Sequence, residues 1–329
     1  MRIAAQPPVD ASAADIAFVN QLGVEDVVLS VDAENANYDY YVALKKRYHD
    51  AGINIYALGN HGIHCNSSLV LNLADRDEVL ERYKQHIRDI GRAGIPYVTH
   101  AHIGNGVWYT DYPGTRGGAE TRLFDLAAES HGQSPDGIHY GPLSHGRVFG
   151  DDEIWDNYEY FIRQIAPVAE EWNVKIGVHP DDPPVAELAG IPRCFYSFDS
   201  FKRALQIADS PNVGVCLCVG CWLEGGEAMG EDVFGAIRHF AEQKKLFKVH
   251  FRNVDRPLPV FTETFVDDGY MDMYKVMLAL READFDGVVI PDHVPAMEGG
   301  DNVGMAYTIG YMKALLERAN AEVARSAVG

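Results

Sequence analysis

Residues 213–220 read VGVCLCVG, a short run that contains no charged side chain. A strand of a parallel sheet has this nearly continuous apolar composition, because helices cover both faces of such a sheet. The run therefore predicts a buried strand in the interior of an α/β protein.

Seven further runs of similar character occur along the chain, at residues 2–6, 24–31, 53–59, 95–103, 174–179, 246–254 and 287–293. Most of the segments between them have helical periodicity, at residues 75–93, 152–172, 197–208, 232–244, 271–283 and 305–324. Eight strands alternating with helices predict an α/β fold, a (β/α)₈ TIM barrel in one domain over residues 1–329. A doubly wound open sheet is the alternative, but neither G-x-G-x-x-G nor a P-loop follows any strand.

One segment interrupts this alternation after the fourth strand. Residues 104–150 are rich in Gly, Tyr and His, and the segment is too long for an ordinary loop. Two interpretations remain open: a partly mobile excursion, or a lid or partner-contacting arm near the barrel mouth.

The composition limits the classes of partner and the compartment. A net charge of −20 argues against binding to nucleic acid or to an anionic membrane surface. No apolar stretch approaches the roughly 18 residues of a membrane span, and the N-terminal residues do not resemble a signal peptide. Five cysteines, an odd number, are not typical of a disulfide scaffold. We therefore expect a cytoplasmic protein with a small-molecule ligand, and the sequence leaves homo-oligomer formation open.

Each of the last four predicted strands ends at a residue type that binds metals. These residues are His179, Cys218, His250 and Asp292. Any one of them is more often an ordinary buried residue, but in a barrel the carboxyl ends of the strands converge, which predicts one metal site. Two imidazoles, a thiolate and a carboxylate suit Mn, Fe, Co or Zn rather than Ca. A closed structural zinc site and an open catalytic site both remain compatible with this set.

The three cysteines of residues 216–221 are predicted to have different roles. Cys216 and Cys218 face the same side of a strand, and only Cys218 lies near the carboxyl end. We therefore expect Cys216 to pack one layer deeper as a small apolar residue. Cys221 follows in the loop, as a bystander or as a group behind the ligands. A disulfide between Cys216 and Cys218 is disfavoured because their Cα atoms would lie about 7 Å apart.

Several motifs resemble those of the mannonate dehydratase family. They are HPDDPP (179–184), IPR (191–193), HFRN (250–253), DGYMDMY (268–274), PDH (291–293), TRGGAETRLFD (115–125) and RYKQHIRDIGRAGIP (82–96), and the resemblance covers residues 75–315. It implies a TIM barrel of the xylose-isomerase-like group that dehydrates D-mannonate to 2-keto-3-deoxy-D-gluconate with Mn²⁺ or Fe²⁺. It also implies the same four metal ligands, His293 as the acid–base histidine and, from its spacing, Tyr307 as the catalytic tyrosine.

Further polar residues are candidates for binding a sugar acid. Arg252 lies two residues beyond His250, and it fits either a bidentate contact to the substrate carboxylate or a salt bridge with Asp292 or Glu263. His64, Trp108 and Arg116 are predicted to line the sugar pocket, as are His100 and His102.

Two competing functions remain open on the same barrel. A metal-dependent sugar isomerase or epimerase usually collects several Glu and Asp ligands at its strand ends, whereas these strand ends provide one Asp. A catalytically silent sugar-binding or metal-binding relative would not need the His293, Tyr307 and Arg252 set.

Overall fold

The computed structural model describes residues 1–134 and 137–326, and it contains a closed parallel barrel. The barrel strands are β1 (Arg2–Ala5), β2 (Asp26–Val31), β3 (Asn54–Asn60), β4 (Tyr97–His100), β5 (Lys175–Val178), β6 (Val213–Cys218), β7 (Leu246–Phe251) and β8 (Val288–Pro291). Neighbours in sequence are neighbours in the barrel, and β1 closes it by pairing with β8, where Arg2 lies opposite Val288. The predicted (β/α)₈ barrel is confirmed, with each of the eight strands within a few residues of its predicted limits.

One principal helix follows each barrel strand. These helices are α1 (Ala13–Gln21), α2 (Tyr38–His49), α3 (Arg76–Arg92), α4 (Asp151–Glu171), α5 (Phe198–Ala208), α6 (Val233–Glu242), α7 (Met273–Glu282) and α8 (Asp301–Ser326). The six predicted helices correspond to α3–α8, and α1 and α2 were not predicted. The hydrophobic periodicity of α2 is weak because two of its three buried residues, Tyr41 and Tyr48, are tyrosines. In the described part of the chain, no helix has the length and hydrophobicity to cross a membrane.

The barrel interior and the space between strands and helices form separate cores. A cluster made of strand residues fills the interior, with Ala4, Val28, Ala57, Tyr97, Phe247, Val288 and Ile290. The larger core packs the outer faces of the strands against the helices. The strand ends therefore lie above a mainly apolar layer of the barrel interior.

The insertion after β4 is attached to the barrel mouth through a small antiparallel sheet. This mouth sheet consists of Asn253–Val254, Val260–Thr264 and Leu123–Asp125. Phe124 pairs with Phe261 across it, with ring centroids 5.7 Å apart. The predicted insertion, 104–150, includes residues 135–136, and the predicted domain, 1–329, includes residues 327–329. Both short stretches lie outside the described residues.

Candidate active site

The four predicted metal ligands lie at the carboxyl ends of four consecutive barrel strands. His179 directly follows β5, Cys218 ends β6, His250 lies in β7, and Asp292 directly follows β8. Cys218 and His250 are also in register across β6 and β7. Because these strands are neighbours in the barrel, the four side chains meet at one edge, and we call them the strand-end cluster.

The polar atoms of this cluster are within contact distance of one another. His179 Nε2 is 3.2 Å from His250 Nδ1, and His250 Nδ1 is 3.3 Å from Asp292 Oδ1. Cys218 Sγ is 3.6 Å from Asp292 Oδ2. Atoms of Cys218, His250 and Asp292 all lie within 4.8 Å of one another, as do those of His179, Cys218 and Cys221. The structure thus brings together the four residues that were predicted from separate strands.

Two features of the imidazoles fit a bound cation. His179 Nδ1 lies 2.7 Å from the carbonyl oxygen of Pro180. Because a carbonyl oxygen only accepts, Nδ1 carries a proton and donates to it, which leaves Nε2 facing the cluster. His250 Nε2 is buried and has no hydrogen-bond partner among the described residues. With a thiol and a carboxylate beside them, these nitrogens form a donor set for Mn, Fe, Co or Zn.

The electrostatics of the cluster favour charged ligand atoms. Burial would raise the pKa of the Cys218 thiol, but hydrogen bonding from Cys221 and the Arg252 guanidinium hold that pKa well below its ordinary value. Burial also opposes ionisation of Asp292, yet the neighbouring imidazoles keep its pKa well below the usual range. Burial lowers the pKa of His250, but the negative charges of Cys216 and Asp292 raise it more, so the pKa lies well above its ordinary value. The cluster therefore provides two anionic ligands that a divalent cation would neutralise.

Arg252 lies behind this cluster and is surrounded by carboxylates. Its Nη2 is 3.1 Å from Asp182 Oδ2 and 2.9 Å from Glu224 Oε1, and its Nε is 3.2 Å from Asp292 Oδ2. Its Nη1 forms an ion pair with Glu263. The Arg252 side chain is fully buried. The ion pairs with Glu263 and Asp292 show that the predicted salt bridge is present with both residues. A contact to the substrate carboxylate stays a prediction.

The predicted acid–base residue, His293, has a defined orientation. Its backbone φ is +40°, in the left-handed region that non-glycine residues rarely adopt. Nδ1 lies 2.7 Å from Glu263 Oε1, and Nε2 lies 2.9 Å from Arg122 Nη1. Nδ1 also lies 2.7 Å from Arg252 Nη1, so it faces both a carboxylate acceptor and a guanidinium donor, while Arg122 donates to Nε2.

A cavity of about 210 Å³ opens beside the strand-end cluster. Its polar lining comprises Gln6, Ser30, His61, His64, Thr99, His179, Asp182, Lys248, His250, Asp292 and His293. His64 is the predicted pocket residue that the structure places in this lining. Burial and the neighbouring His179 lower the pKa of His64 to about 4, so its imidazole is neutral near pH 7. The cavity therefore places neutral and charged donors beside the same cluster.

A model of the D-mannonate dehydratase (UxuA) family matches residues 143–323, more than half of the chain, and the match includes the whole strand-end cluster. The chain belongs to this dehydratase family. It is therefore an enzyme of the hydro-lyase kind.

Individual mannonate dehydratases support the assignment to this family. The Mannonate dehydratase of Oceanobacillus iheyensis is 28% identical over 274 residues, which cover 76% of this chain and 75% of the relative. That of Streptococcus pneumoniae strain 70585 is 29% identical over 269 residues, covering 76% and 72%.

Solved structures show the same fold. The mannonate dehydratase from Streptococcus suis serotype 2 superposes with a TM-score of 0.85 at 24% identity, covering 98% of this chain and 96% of that one. The D-psicose 3-epimerase from Clostridium cellulolyticum H10, solved with D-tagatose, gives 0.63 at 15% identity, covering 96% and 99%. The barrel is thus shared by mannonate dehydratases and sugar epimerases.

Two residues predicted to act in this dehydratase site lie outside the described cavity lining. Tyr307, on α8, accepts a hydrogen bond from Arg116 Nη2 at 3.3 Å, and Arg116 Nη1 is 2.8 Å from Asp267 Oδ2. The Arg116 side chain is 44% exposed. The structure therefore links these two residues to each other rather than to the strand-end cluster.

Trp108 and the paired histidines lie behind the cavity wall. The Trp108 side chain is buried, and its ring stacks against His139 with centroids 5.0 Å apart. The backbone N–H of Trp108 donates to the Asp182 backbone carbonyl. His100 and His102 are buried against Phe161. Among the described lining residues, the neighbour of Trp108 that faces the cavity is Val107.

Several residues of the site were not predicted. Arg122 contacts His293, Lys248 contacts Thr99, and Glu224 forms an ion pair with Arg252. Lys248 was detectable from the sequence, because it precedes His250 by two residues and shares its strand face. Cys221 was predicted in a loop, as a bystander or as a group behind the ligands. It lies on the short helix Val219–Gly225, where its backbone N–H donates to Cys218 Sγ and its Sγ is 3.4 Å from Arg252 Nη2.

Asp181 and Asp182, which follow His179, contact a backbone N–H and two arginine side chains. Asp181 accepts from the Phe195 N–H at 2.6 Å and pairs with Arg193. Asp182 pairs with Arg252, and the chain continues into the short strands Glu187–Leu188 and Ile191–Pro192. Neither aspartate caps a helix, because the next helix, α5, has Ser197 as its N-cap.

Proposed function

We propose that the chain catalyses the metal-dependent dehydration of D-mannonate to 2-keto-3-deoxy-D-gluconate and water. The observation that carries this proposal is the strand-end cluster beside His293, in a cavity within a dehydratase-family barrel. Loss of the C2 proton and of the C3 hydroxide gives an enol, which tautomerises to the 2-keto acid.

The cofactor fits the residues present. His179, Cys218, His250 and Asp292 would hold a divalent cation, for which Mn²⁺ or Fe²⁺ is favoured and Co²⁺ or Zn²⁺ also suits the ligands. When bound, the cation supplies a Lewis acid that stabilises negative charge on substrate oxygens.

The chain's own residues transfer the protons. Dehydration needs one group that takes the C2 proton and one that protonates the hydroxide leaving C3. His293 faces the cavity, and Glu263 orients its ring, so it suits either role. Tyr307 is proposed as the second group from its place in the family pattern; its hydroxyl oxygen lies beside Arg116, outside the described cavity lining.

Arg252 organises the site in this proposal. Arg252 contacts two proposed metal ligands, Cys218 through Sγ at 3.5 Å and Asp292 through its carboxylate. It also contacts the carboxylate of Glu263, which orients His293. A single buried guanidinium thus fixes both parts of the machinery relative to each other.

Turnover of acid sugars tests the proposal. Protein reconstituted with Mn²⁺ or Fe²⁺ is incubated with hexonates and pentonates, and 2-keto-3-deoxy products are measured. We expect D-mannonate to react fastest and metal-free protein to be inactive. Interconversion of neutral ketoses without turnover of any acid sugar would instead identify an isomerase or epimerase.

A further inference from the structure

Lys248 places an ammonium group on the floor of the cavity. It lies on β7 two residues before His250, so both side chains point into the barrel, with Lys248 one layer deeper. Across the β6–β7 ladder it is in register with Cys216, as His250 is with Cys218. The lysine therefore lies directly below the strand-end cluster.

The ammonium of Lys248 is buried and makes one hydrogen bond to the protein. Lys248 is 3% exposed, and its Nζ donates to Thr99 Oγ1 at 3.0 Å on the opposite strand β4. The ring of Tyr97 lies 5.6 Å from Nζ, measured to its centroid. Among the described residues, Lys248 forms no salt bridge with a carboxylate, and Thr99 Oγ1 is the one acceptor that its three N–H bonds reach. The neighbour that most favours its positive charge is Cys216, which is in register with it across the ladder.

A buried ammonium without a carboxylate partner is costly, and the cost falls when an anion binds beside it. Lys248 and Thr99 line the same cavity as His179, His250 and Asp292. An anionic group that pairs with Nζ would therefore lie next to the strand-end cluster.

We propose that Lys248 is the specificity-determining residue that binds the carboxylate of the substrate and makes the site selective for acid sugars over neutral sugars. The inference rests on the proposed function in taking an acid sugar as the ligand. It assigns carboxylate recognition to Lys248 rather than to Arg252, whose guanidinium is already paired with protein carboxylates. A neutral polyol of the same length gains hydrogen bonds in this cavity but no charge pairing.

Equilibrium binding tests the proposal without turnover. Two metal-loaded proteins are compared, the His293→Asn variant and the His293→Asn, Lys248→Met double variant. Each is titrated with a panel of hexonates and pentonates, including D-mannonate, and with D-mannitol. We expect the substitution to weaken acid-sugar binding about 10- to 100-fold and to leave D-mannitol affinity within about twofold. Lys248→Arg, which keeps the charge, should retain most of the preference for acid sugars.

A strand lysine outside the cavity provides the control. Lys175→Met removes a cation near the start of β5, where Nζ lies over the Phe247 ring, and should leave both affinities unchanged. The assignment would be overturned if Lys248→Met lowered the affinity for acid sugars and for D-mannitol equally, or lowered neither. It would also be overturned if no acid sugar bound. Binding that depends on Lys248 without 2-keto-3-deoxy product from the wild type would instead refute the proposed reaction and leave the assignment intact.

Discussion

Cys218 and Cys216 lie two residues apart on β6 and have different neighbours. Cys218 touches Asp292, Arg252 and the Cys221 N–H. Cys216 lies one layer deeper, in register with Lys248 and near His250, with Thr99 Oγ1 at 4.0 Å. Substituting Cys218 by Ala should weaken Mn²⁺ binding by more than about 100-fold, because the thiolate is a direct ligand in the proposed site.

The matched variant is Cys216→Ala. It should retain stoichiometric metal and lose about 1 kcal/mol of folding free energy through looser packing. Metal content after dialysis and chemical denaturation measure the two effects. Equal loss of metal from both variants would show that Cys216 also acts as a ligand.

His293 should contribute to the rate and not to metal retention. We expect His293→Asn to lower kcat by about 10²- to 10⁴-fold, because it removes a group that transfers protons. Metal content should stay at the wild-type value. The control His239→Asn alters a histidine near the end of α6, outside the described cavity lining, and should keep full activity. Wild-type turnover by His293→Asn would contradict the assignment.

Gly220 allows Arg252 to occupy its position. A Cβ at residue 220 would lie 2.1 Å from Arg252 Nε, so Gly220→Ala must displace the guanidinium. We expect a loss of about 1–3 kcal/mol in unfolding free energy, together with weaker metal binding. Gly310→Ala on α8 is the control, since its Cβ meets no atom within 4 Å and should stabilise the helix by about 1 kcal/mol. Denaturant titration measures both changes.

The mouth sheet couples the insertion to the site. Arg122 immediately precedes its strand Leu123–Asp125 and contacts His293, while Glu263 of Val260–Thr264 contacts the same ring. The orientation of His293 therefore depends on residues that arrive from two segments outside the barrel strands.

Phe124→Ala tests this coupling. The buried Phe124 ring packs on Phe261, so its removal should cost about 3–5 kcal/mol and loosen the insertion. We expect faster proteolysis within residues 104–150 and a lower kcat, with metal content unchanged. Unaltered proteolysis and turnover would show that the insertion does not position His293.

The strands and the insertion were not equally predictable from the sequence. Strand burial produces a strong local pattern, as in β6, and the convergence of strand ends follows from the barrel itself. The contacts of Arg122 and Glu263 depend on antiparallel pairing between residues more than a hundred positions apart. No local pattern specifies that pairing, so their contacts with His293 could not be predicted.

Metal and fold should stabilise each other in the whole protein. The four ligands come from separate strands, so the proposed site exists only in the closed barrel. Free Mn²⁺ at 100 times its Kd should add about 2.7 kcal/mol to the unfolding free energy, and a chelator should remove this gain. Thermal melting with Mn²⁺ and with EDTA measures the difference. Cys218→Ala should show little response, and an equal response would place the metal elsewhere.

Barrel closure also has a consequence for biosynthesis. β1 pairs with β8, which follows it in the chain by about 290 residues. At a translation rate of about 5–20 residues per second, β1 emerges from the ribosome between about 15 and 60 seconds before its partner strand has been made. During this interval β1 has an unpaired edge, and the nascent chain lacks Asp292 and His293. We therefore expect catalytic competence to appear only after the ribosome has released the last strand.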